Sequence, residues 1–359
     1  MIKIYEKYLI KDFLKSILLV SAVFFSIVSI LNMLEELSYF KNMDVSILLP
    51  VLLNFLNAPS VLYGIFPFIF LIATQFFLLN IIEKNELIVL KNFGIDNFRL
   101  VKMLTYVSFI TSLLIIIIFY NLSAKLKYAY LDIKNDYASD DKYLAVITEN
   151  GLWMRDEINN KISIINAEKI NNNFLKNVTI TIFDSNFDYI SSIFSEEINI
   201  KSTDWFIKKA KISRKGEFNN LQNDITFSTN FNSKKINGLF SNLESLTLWE
   251  LYKLKKDYKE VGFSISEIDL HLQRIYSYPI YLVIMTILSA TMMLNIKHNK
   301  PKIFYLLLGI FCSVVIFYIN HFANLLGENG RLPIELSIWL PHALVLILVS
   351  IGLVRINEK

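Results

Sequence analysis

One cysteine, Cys312, occurs in the 359 residues, which excludes an intrachain disulfide and any cysteine-based metal cluster. It lies in an apolar run, where a small core hydrophobe is the ordinary meaning. No GxxxxGK[ST] sequence is present, so the chain is not expected to bind and hydrolyse ATP by itself. HExxH, GxSxG and any Cys/His cluster at metal spacing are also missing, so neither a cofactor nor enzymatic chemistry is expected. His271, His298, His321 and His342 are scattered, and only His321 and His342 fall where the ends of two apolar runs would bring them near each other. Charged residues make up 19%, below the usual quarter of a soluble protein, while 54% are hydrophobic. Glycine is scarce at ten residues, and with the abundance of Ile, Lys and Asn this reads as compositional bias without functional content. No small-residue cleavage pattern follows the first apolar run, so a cleavable signal is not expected.

What is present is long apolar runs. Val45–Ile82 and Met103–Ala124 contain no Asp, Glu, Lys or Arg, and Ser16–Leu34 is uncharged for nineteen residues. Backbone inside a bilayer must satisfy its own hydrogen bonds, so such runs are expected to be membrane-spanning helices. Six spans are expected, at about 16–34, 62–82, 100–121, 275–296, 303–325 and 336–354. Residues 1–15, with Lys3, Lys7, Lys11 and Lys15, read as an amphipathic lead-in at the interface. Asn54, Asn57, Pro59 and Pro67 are expected to split the second run into a re-entrant or interfacial piece and a span. Glu35, Glu36, Lys41 and Asp44 form an aqueous stop. No acid falls within a span, which argues against ion-driven or proton-coupled transport.

Between Lys125 and Asp269 the character changes to short segments of period-two alternation: 145–148, 152–155, 161–165, 178–183, 189–194, 205–212 and 224–228. Asn150-Gly151, Asn159-Asn160, Lys215-Gly216 and Asn237-Gly238 separate several of them. This predicts an inserted all-β antiparallel domain, a sandwich or roll. Thr247-Leu248-Trp249-Glu250 and Ser264-Ile265-Ser266-Glu267 read as capping boxes opening two helices. The domain reading is 1–124 for spans one to three, with a cytoplasmic helix at about 83–95; 125–269 for the β domain; and 270–359 for spans four to six. One set of flanks carries thirteen Lys or Arg and the two short opposite loops carry two, Lys41 and Arg331. By the positive-inside rule both termini are cytoplasmic and the β domain lies across the membrane.

The charged stretch between spans two and three, Glu83 to Asp96, is the candidate docking element. Leu87, Leu90 and Ile95 fall near helical spacing and Gly94 is a plausible helix stop. An ordinary solvated loop is the alternative. Lys41, Lys125, Lys127 and Lys134 stand at the opposite face, where ammonium groups suit an anionic headgroup. Plain interfacial lysines explain them too, and Glu35 and Glu36 oppose an anion unless paired with them.

With this topology, the chain resembles the YjgP/YjgQ permease family, the LptF and LptG subunits of the lipopolysaccharide exporter. The resemblance is carried by Asn85-Glu86-Leu87-Ile88-Val89-Leu90-Lys91-Asn92-Phe93-Gly94 and by three spans, a β-jelly-roll and three more spans. Gly151-Leu152-Trp153-Met154-Arg155-Asp156, Phe317-Tyr318-Ile319-Asn320 and Leu332-Pro333 with Trp339-Leu340-Pro341 look like the LptG side of the family. The resemblance implies a permease subunit of an inner-membrane ABC transporter with a periplasmic jelly-roll. Its implied partners are an LptB-type ATPase dimer, an LptF-type permease, an LptC-type membrane protein, a periplasmic LptA-type bridge and lipopolysaccharide, with no nucleic acid. It implies Glu86, Leu87, Leu90, Phe93 and Gly94 as the ATPase-coupling residues, and places Lys41 and Lys134 near the family's headgroup-contacting basic residues. The sequence departs from the family pattern at Glu35-Glu36, at Ala124, Lys125 and Lys127, and in the 297–302 turn. A mechanotransmitting subunit that moves no lipid, and a scaffold whose outer domain binds a partner, are the alternatives.

Overall fold

The computed structural model describes residues 3–137, 144–148, 151–158, 161–171, 173–214, 217–233, 236, 242–261, 265–295 and 301–357. The chain divides into two units, Met1–Tyr130 with Asp269–Lys359, and Leu131–Ile268. Its helices are α1 (Ile4–Tyr39), α2 (Leu48–Glu83), α3 (Glu86–Asn92), α4 (Asn97–Leu114), a π-turn (Ile115–Tyr120), α5 (Asn121–Asp136), α6 (Leu248–Val261), α7 (Ser266–Leu294), α8 (Lys302–Glu328) and α9 (Ile334–Asn357).

Among the described residues, six helical segments are long and apolar enough to cross a membrane. Their extents correct the sequence reading. The break expected at Asn54, Asn57, Pro59 and Pro67 is absent, and α2 runs unbroken over 36 residues with both prolines inside. Each proline removes one N–H, and in an apolar medium the freed groups have no water to turn to, so the neighbouring turns stay helical around the gap. The expected interfacial lead-in is the beginning of α1, where the Lys3 amide donates to Glu6 Oε2 at 2.9 Å. The third span does not stop at residue 121. No Gly or Pro occurs from Met103 to Asp136, and the lysines there are good helix formers, so helix continues through the π-turn and α5. The π-turn shifts the register so that Tyr120 Oη lies 3.0 Å from His271 Nε2.

α2 and α7 are the inner helices. Phe66, Ile69, Phe70, Phe77 and Leu78 of α2 pack with Phe13 of α1, Leu100 and Leu104 of α4, and Tyr278 and Leu282 of α7. A second cluster joins Leu71 to Ile284, Met285, Ile316, Val345 and Val349. Small polar side chains tie the helices where lipid offers no competing partner: Ser108 Oγ to Thr286 Oγ1 at 2.9 Å, and Ser289 Oγ to the Leu71 carbonyl at 2.8 Å. Gln75 Nε2 donates to the Tyr305 carbonyl of α8 at 3.1 Å, beside Gly309, where a Cβ would sit 1.9 Å from that nitrogen.

The second unit holds one seven-stranded antiparallel sheet: β1 (Leu144–Thr148), β2 (Gly151–Ile158), β3 (Lys161–Asn171), β4 (Phe174–Phe183), β5 (Tyr189–Asn199), β6 (Asp204–Arg214) and β7 (Glu217–Ser228). Each strand pairs with its neighbour in sequence, so the order is that of a meander, without the crossover of a Greek-key jelly-roll among the described strands. All seven alternating segments read from the sequence lie within these strands. Gly151 sits at φ +105, where only glycine is unstrained, and an added Cβ would meet the Ala167 carbonyl oxygen at 2.3 Å. The other residues of the turn signals (150, 159–160, 215–216 and 237–238) lie outside the described residues.

The inward set of this sheet includes Leu152, Met154, Ile165, Ile180, Trp205 and Ile207, with Phe231 and Ile236 beyond β7. Asp156, on β2 and 1% exposed, pins the segment after β7. Its carboxylate accepts from Thr229 Oγ1 at 2.5 Å, the Asn230 amide at 3.0 Å and Asn230 Nδ2 at 2.9 Å. The Trp205 indole then donates to the Phe231 carbonyl at 3.1 Å. The capping box at α6 forms as read: the Thr247 amide and hydroxyl donate to Glu250 Oε2 at 2.8 and 2.7 Å. The second box depends on Ser264, which is not among the described residues.

Candidate functional site

The stretch after α2 folds as a helix-turn unit, not a loop. Asn85 takes the left-handed conformation, φ 58, which turns the chain out of α2 and starts α3. At the other end the Gly94 amide donates to the Lys91 carbonyl at 2.9 Å and the Ile95 amide to the Leu90 carbonyl at 3.0 Å. These are the two bonds of a Schellman cap, with Gly94 at φ +76 as its left-handed residue. A Cβ at Gly94 would meet nothing within 4 Å, so the demand for glycine is conformational, not steric. Ile95, the residue after the left-handed glycine, is buried, as is usual for the apolar residue that follows such a cap. Asp96 then opens α4 by accepting the Arg99 amide at 2.9 Å.

This cap decides which face of α3 looks out, and it divides the expected coupling residues. Leu87 and Leu90 are half-buried against the bundle core. They anchor the helix and do not present an exposed surface. Phe93 is 79% exposed, and beside it stand Ile88 at 59% and Val89 at 51%, which the sequence reading passed over. In a seven-residue helix apolar on both sides, periodicity cannot say which side is inward; the exposed β-branched pair was the available signal. Glu86 accepts from the Tyr8 hydroxyl of α1 at 3.1 and 3.3 Å, so the acid is held at the start of α3 by the first helix. The result is an apolar knob of three side chains flanked by a fixed carboxylate and the exposed Lys91.

The lysine set separates as well. Lys41 is exposed in the turn between α1 and α2, and Lys125 is exposed on α5. Lys134 is half-buried further along α5. Lys127 is half-buried and engaged: its Nζ donates to Asn57 Oδ1 of α2 at 2.6 Å and lies 4.9 Å from the centroid of the Tyr130 ring. Tyr130 in turn donates to Glu36 Oε1 at 2.8 Å. Glu36 is therefore no part of an aqueous stop; it is 1% exposed on the stripe Val28, Asn32, Glu36 of α1. The four-residue spacing of that stripe was the signal for its inward face.

The histidines stay apart. His342 is buried, with Nδ1 2.7 Å from the Ile338 carbonyl and its ring edge-on to Tyr281, whereas His321 is exposed and stacked on Phe317. His298 lies outside the described residues. Among the described residues no three His, Cys, Asp or Glu side chains group in a way that could hold a metal ion.

Among the described residues, six helical segments long and apolar enough to cross a membrane, interrupted by an antiparallel β sheet, define the class as a multi-pass membrane protein with an inserted β domain. The family model for lipopolysaccharide export system permease LptF/LptG matches residues 7–355, and the chain belongs to that family. It is thus a non-catalytic permease subunit of a lipopolysaccharide-export ABC system, and its partners are other components of that system. No curated protein matches it in sequence.

Proposed function

We propose that the chain is the LptG-type permease of the exporter, paired with an LptF-type subunit on an LptB-type ATPase dimer, with an LptC-type protein as a further partner. In this reading lipopolysaccharide is taken from the inner membrane and passed along the β domain to an LptA-type periplasmic bridge. Both termini and α3 are cytoplasmic, and the β domain is periplasmic. The basic bias of the flanks supports this orientation, and the Gly151–Asp156 segment supports LptG over LptF.

The observation that carries the reading is α3: a Schellman-capped helix between two spans whose exposed end is Ile88, Val89 and Phe93. Apolar side chains at the water-exposed end of a membrane subunit are costly unless a partner covers them. Glu86, Phe93 and Gly94 then contact or shape the contact with the ATPase, while Leu87 and Leu90 brace it from behind. At the other ends of the spans, exposed Lys41 and Lys125 and half-buried Lys127 and Lys134 are the cations for a lipid phosphate.

Co-purification of the detergent-solubilised chain with ATPase and permease partners, with and without Glu86→Ala, and mass spectrometry of bound lipid test this. The expected result is a wild-type complex carrying lipid A species and a Glu86→Ala complex that is lost or uncoupled. A stable chain that retains neither ATPase nor lipopolysaccharide overturns the proposal in favour of a scaffold.

A further inference from the structure

One face of α6 has a composition that the packing of the β unit does not use. Leu251 is 0% exposed and Tyr258 packs against the sheet core, so these two mark the inward side of the helix. At about 100° per residue, Trp249, Tyr252, Lys253, Lys256 and Lys259 fall within one arc of about 120° on the other side. All five are exposed, Trp249 at 81% and Tyr252 at 48%. Glu250, the acid beside Trp249, is drawn into the capping box by the Thr247 amide and hydroxyl. An indole this open to water is costly unless something covers it. Indole and phenol rings, each an apolar body with a polar tip, settle at the headgroup level of a bilayer. Lysines beside them lay their stems on apolar surface and raise their ammonium groups to the phosphates. A helix with one face of this kind lies in the plane of a membrane interface.

The connection to α7 supplies that surface. Four residues separate Val261, the end of α6, from Ser266, the start of α7. From Ile275 to Leu294 α7 carries no Asp, Glu, Lys or Arg, and the helix is apolar enough to cross a membrane. The link and residues 266–274 together reach about 30 Å at most, so the end of α6 is tethered near the place where α7 leaves the bilayer. A bilayer is thus within reach of this face in every copy of the chain, whereas a protein partner has to be brought to it.

We propose that α6 is an interfacial anchor, which rests on an anionic phospholipid surface with Trp249 and Tyr252 in the headgroup layer and Lys253, Lys256 and Lys259 against the phosphates. The anchor fixes the foot of the β unit to the membrane just before the chain enters its fourth span. It depends on α7 being a span and not on what the subunit exports.

The test uses the full-length chain in nanodiscs of phosphatidylcholine, with or without phosphatidylglycerol, built from lipids brominated near the top of the acyl chains. Trp153→Phe and Trp339→Phe leave two indoles, Trp249 and the fully buried Trp205. In anionic nanodiscs the emission of this variant should be quenched, and adding Trp249→Phe should remove the quenched part. Lys253→Gln and Lys259→Gln should each lower the docked-to-undocked ratio by about fivefold there, with little effect in phosphatidylcholine alone. Trp249→Ala leaves Leu251 and Tyr258 in place and should melt like the wild type in detergent, which separates lost docking from lost folding. Emission that brominated lipid leaves unquenched, while aqueous iodide quenches it, overturns the anchor. Equal quenching in both lipids, unmoved by the lysine changes, overturns the anionic surface as the ligand. Shielding from iodide that appears only when other subunits of the exporter are added assigns the face to a protein and overturns the proposal.

Discussion

Replacing Asp156 with alanine is expected to unpin the segment after β7 from β2. The carboxylate is 1% exposed and accepts from Thr229 Oγ1, the Asn230 amide and Asn230 Nδ2. Hydrogen bonds to a charged group contribute about 1.5–3 kcal/mol each. The Asn230 side chain is half-buried and can turn to water, so Thr229 Oγ1 and the Asn230 amide are the donors left stranded. The expected cost is about 3–5 kcal/mol, within the range for breaking one side of a buried charged network. The Trp205 bond to the Phe231 carbonyl lies just beyond and fails with it. Hydrogen exchange on the full-length protein in detergent reads this directly. Amides of 151–158 and 225–231 should lose about two to four decades of protection, while α2 and α7 keep theirs. Asp156→Asn retains one acceptor but turns an NH2 group onto the same donors, and should fall at the lower end of that range. Protection in both segments within about threefold of wild type in Asp156→Ala would refute the reasoning, because the sheet would then be closed by apolar packing alone.

Three further outcomes are expected. Phe93→Ala should cut capture of the ATPase by about tenfold with the chain's melting unchanged, whereas Leu87→Ala should lower melting through lost packing; the reverse pattern would mean that α3 faces the other way. Gly309→Ala should push Gln75 off the α8 carbonyls at a cost of about 1–3 kcal/mol by thermal unfolding in detergent, and pairing it with Gln75→Ala should restore part of the loss. Tyr258, packed on the core of the β unit, has its phenol pushed up from 10.0 to about 12, by burial first and by Glu267 second. The native state therefore keeps a proton that the unfolded chain gives up. Stability of the β unit should fall as pH rises from about 10 to 12. Tyr258→Phe should flatten that slope in a chemical-denaturation series, and an unchanged slope would assign it to another group.

Strands were the most legible elements, because inward and outward residues alternate along each, as in Leu152, Trp153 and Met154. The cap at Gly94 was legible for a similar reason, since glycine after an apolar run has few other uses. Helix lengths were less so. Lys7, Lys11, Lys125 and Lys127 look like breaks to a reading based on hydropathy, yet all are good helix formers and sit within continuous helix. Prolines 59 and 67 misled in the same direction, because the cost of a missing N–H was weighed as in water. Glu36 was the costliest misreading: beside Glu35 it looks like a solvated pair, and its donor Tyr130, 94 residues away in sequence, helps to make its burial tolerable. Contacts of that separation leave no local pattern. The stretch from Glu83 to Asp96 was legible as a helix closed by a glycine, and illegible in its facing.

The helix formed by α4, the π-turn and α5 has a consequence for how force travels. From Asn97 to Asp136 it spans forty residues without a proline or glycine, about 60 Å of continuous rod. One end begins a single turn of chain after the Schellman cap. A tilt of about 5° imposed at the first end displaces the second by about 5 Å over that length. Such a rod needs no relay of small rearrangements and no hinge between its ends. The wider π-turn is the place along the rod where compliance would blunt such a displacement.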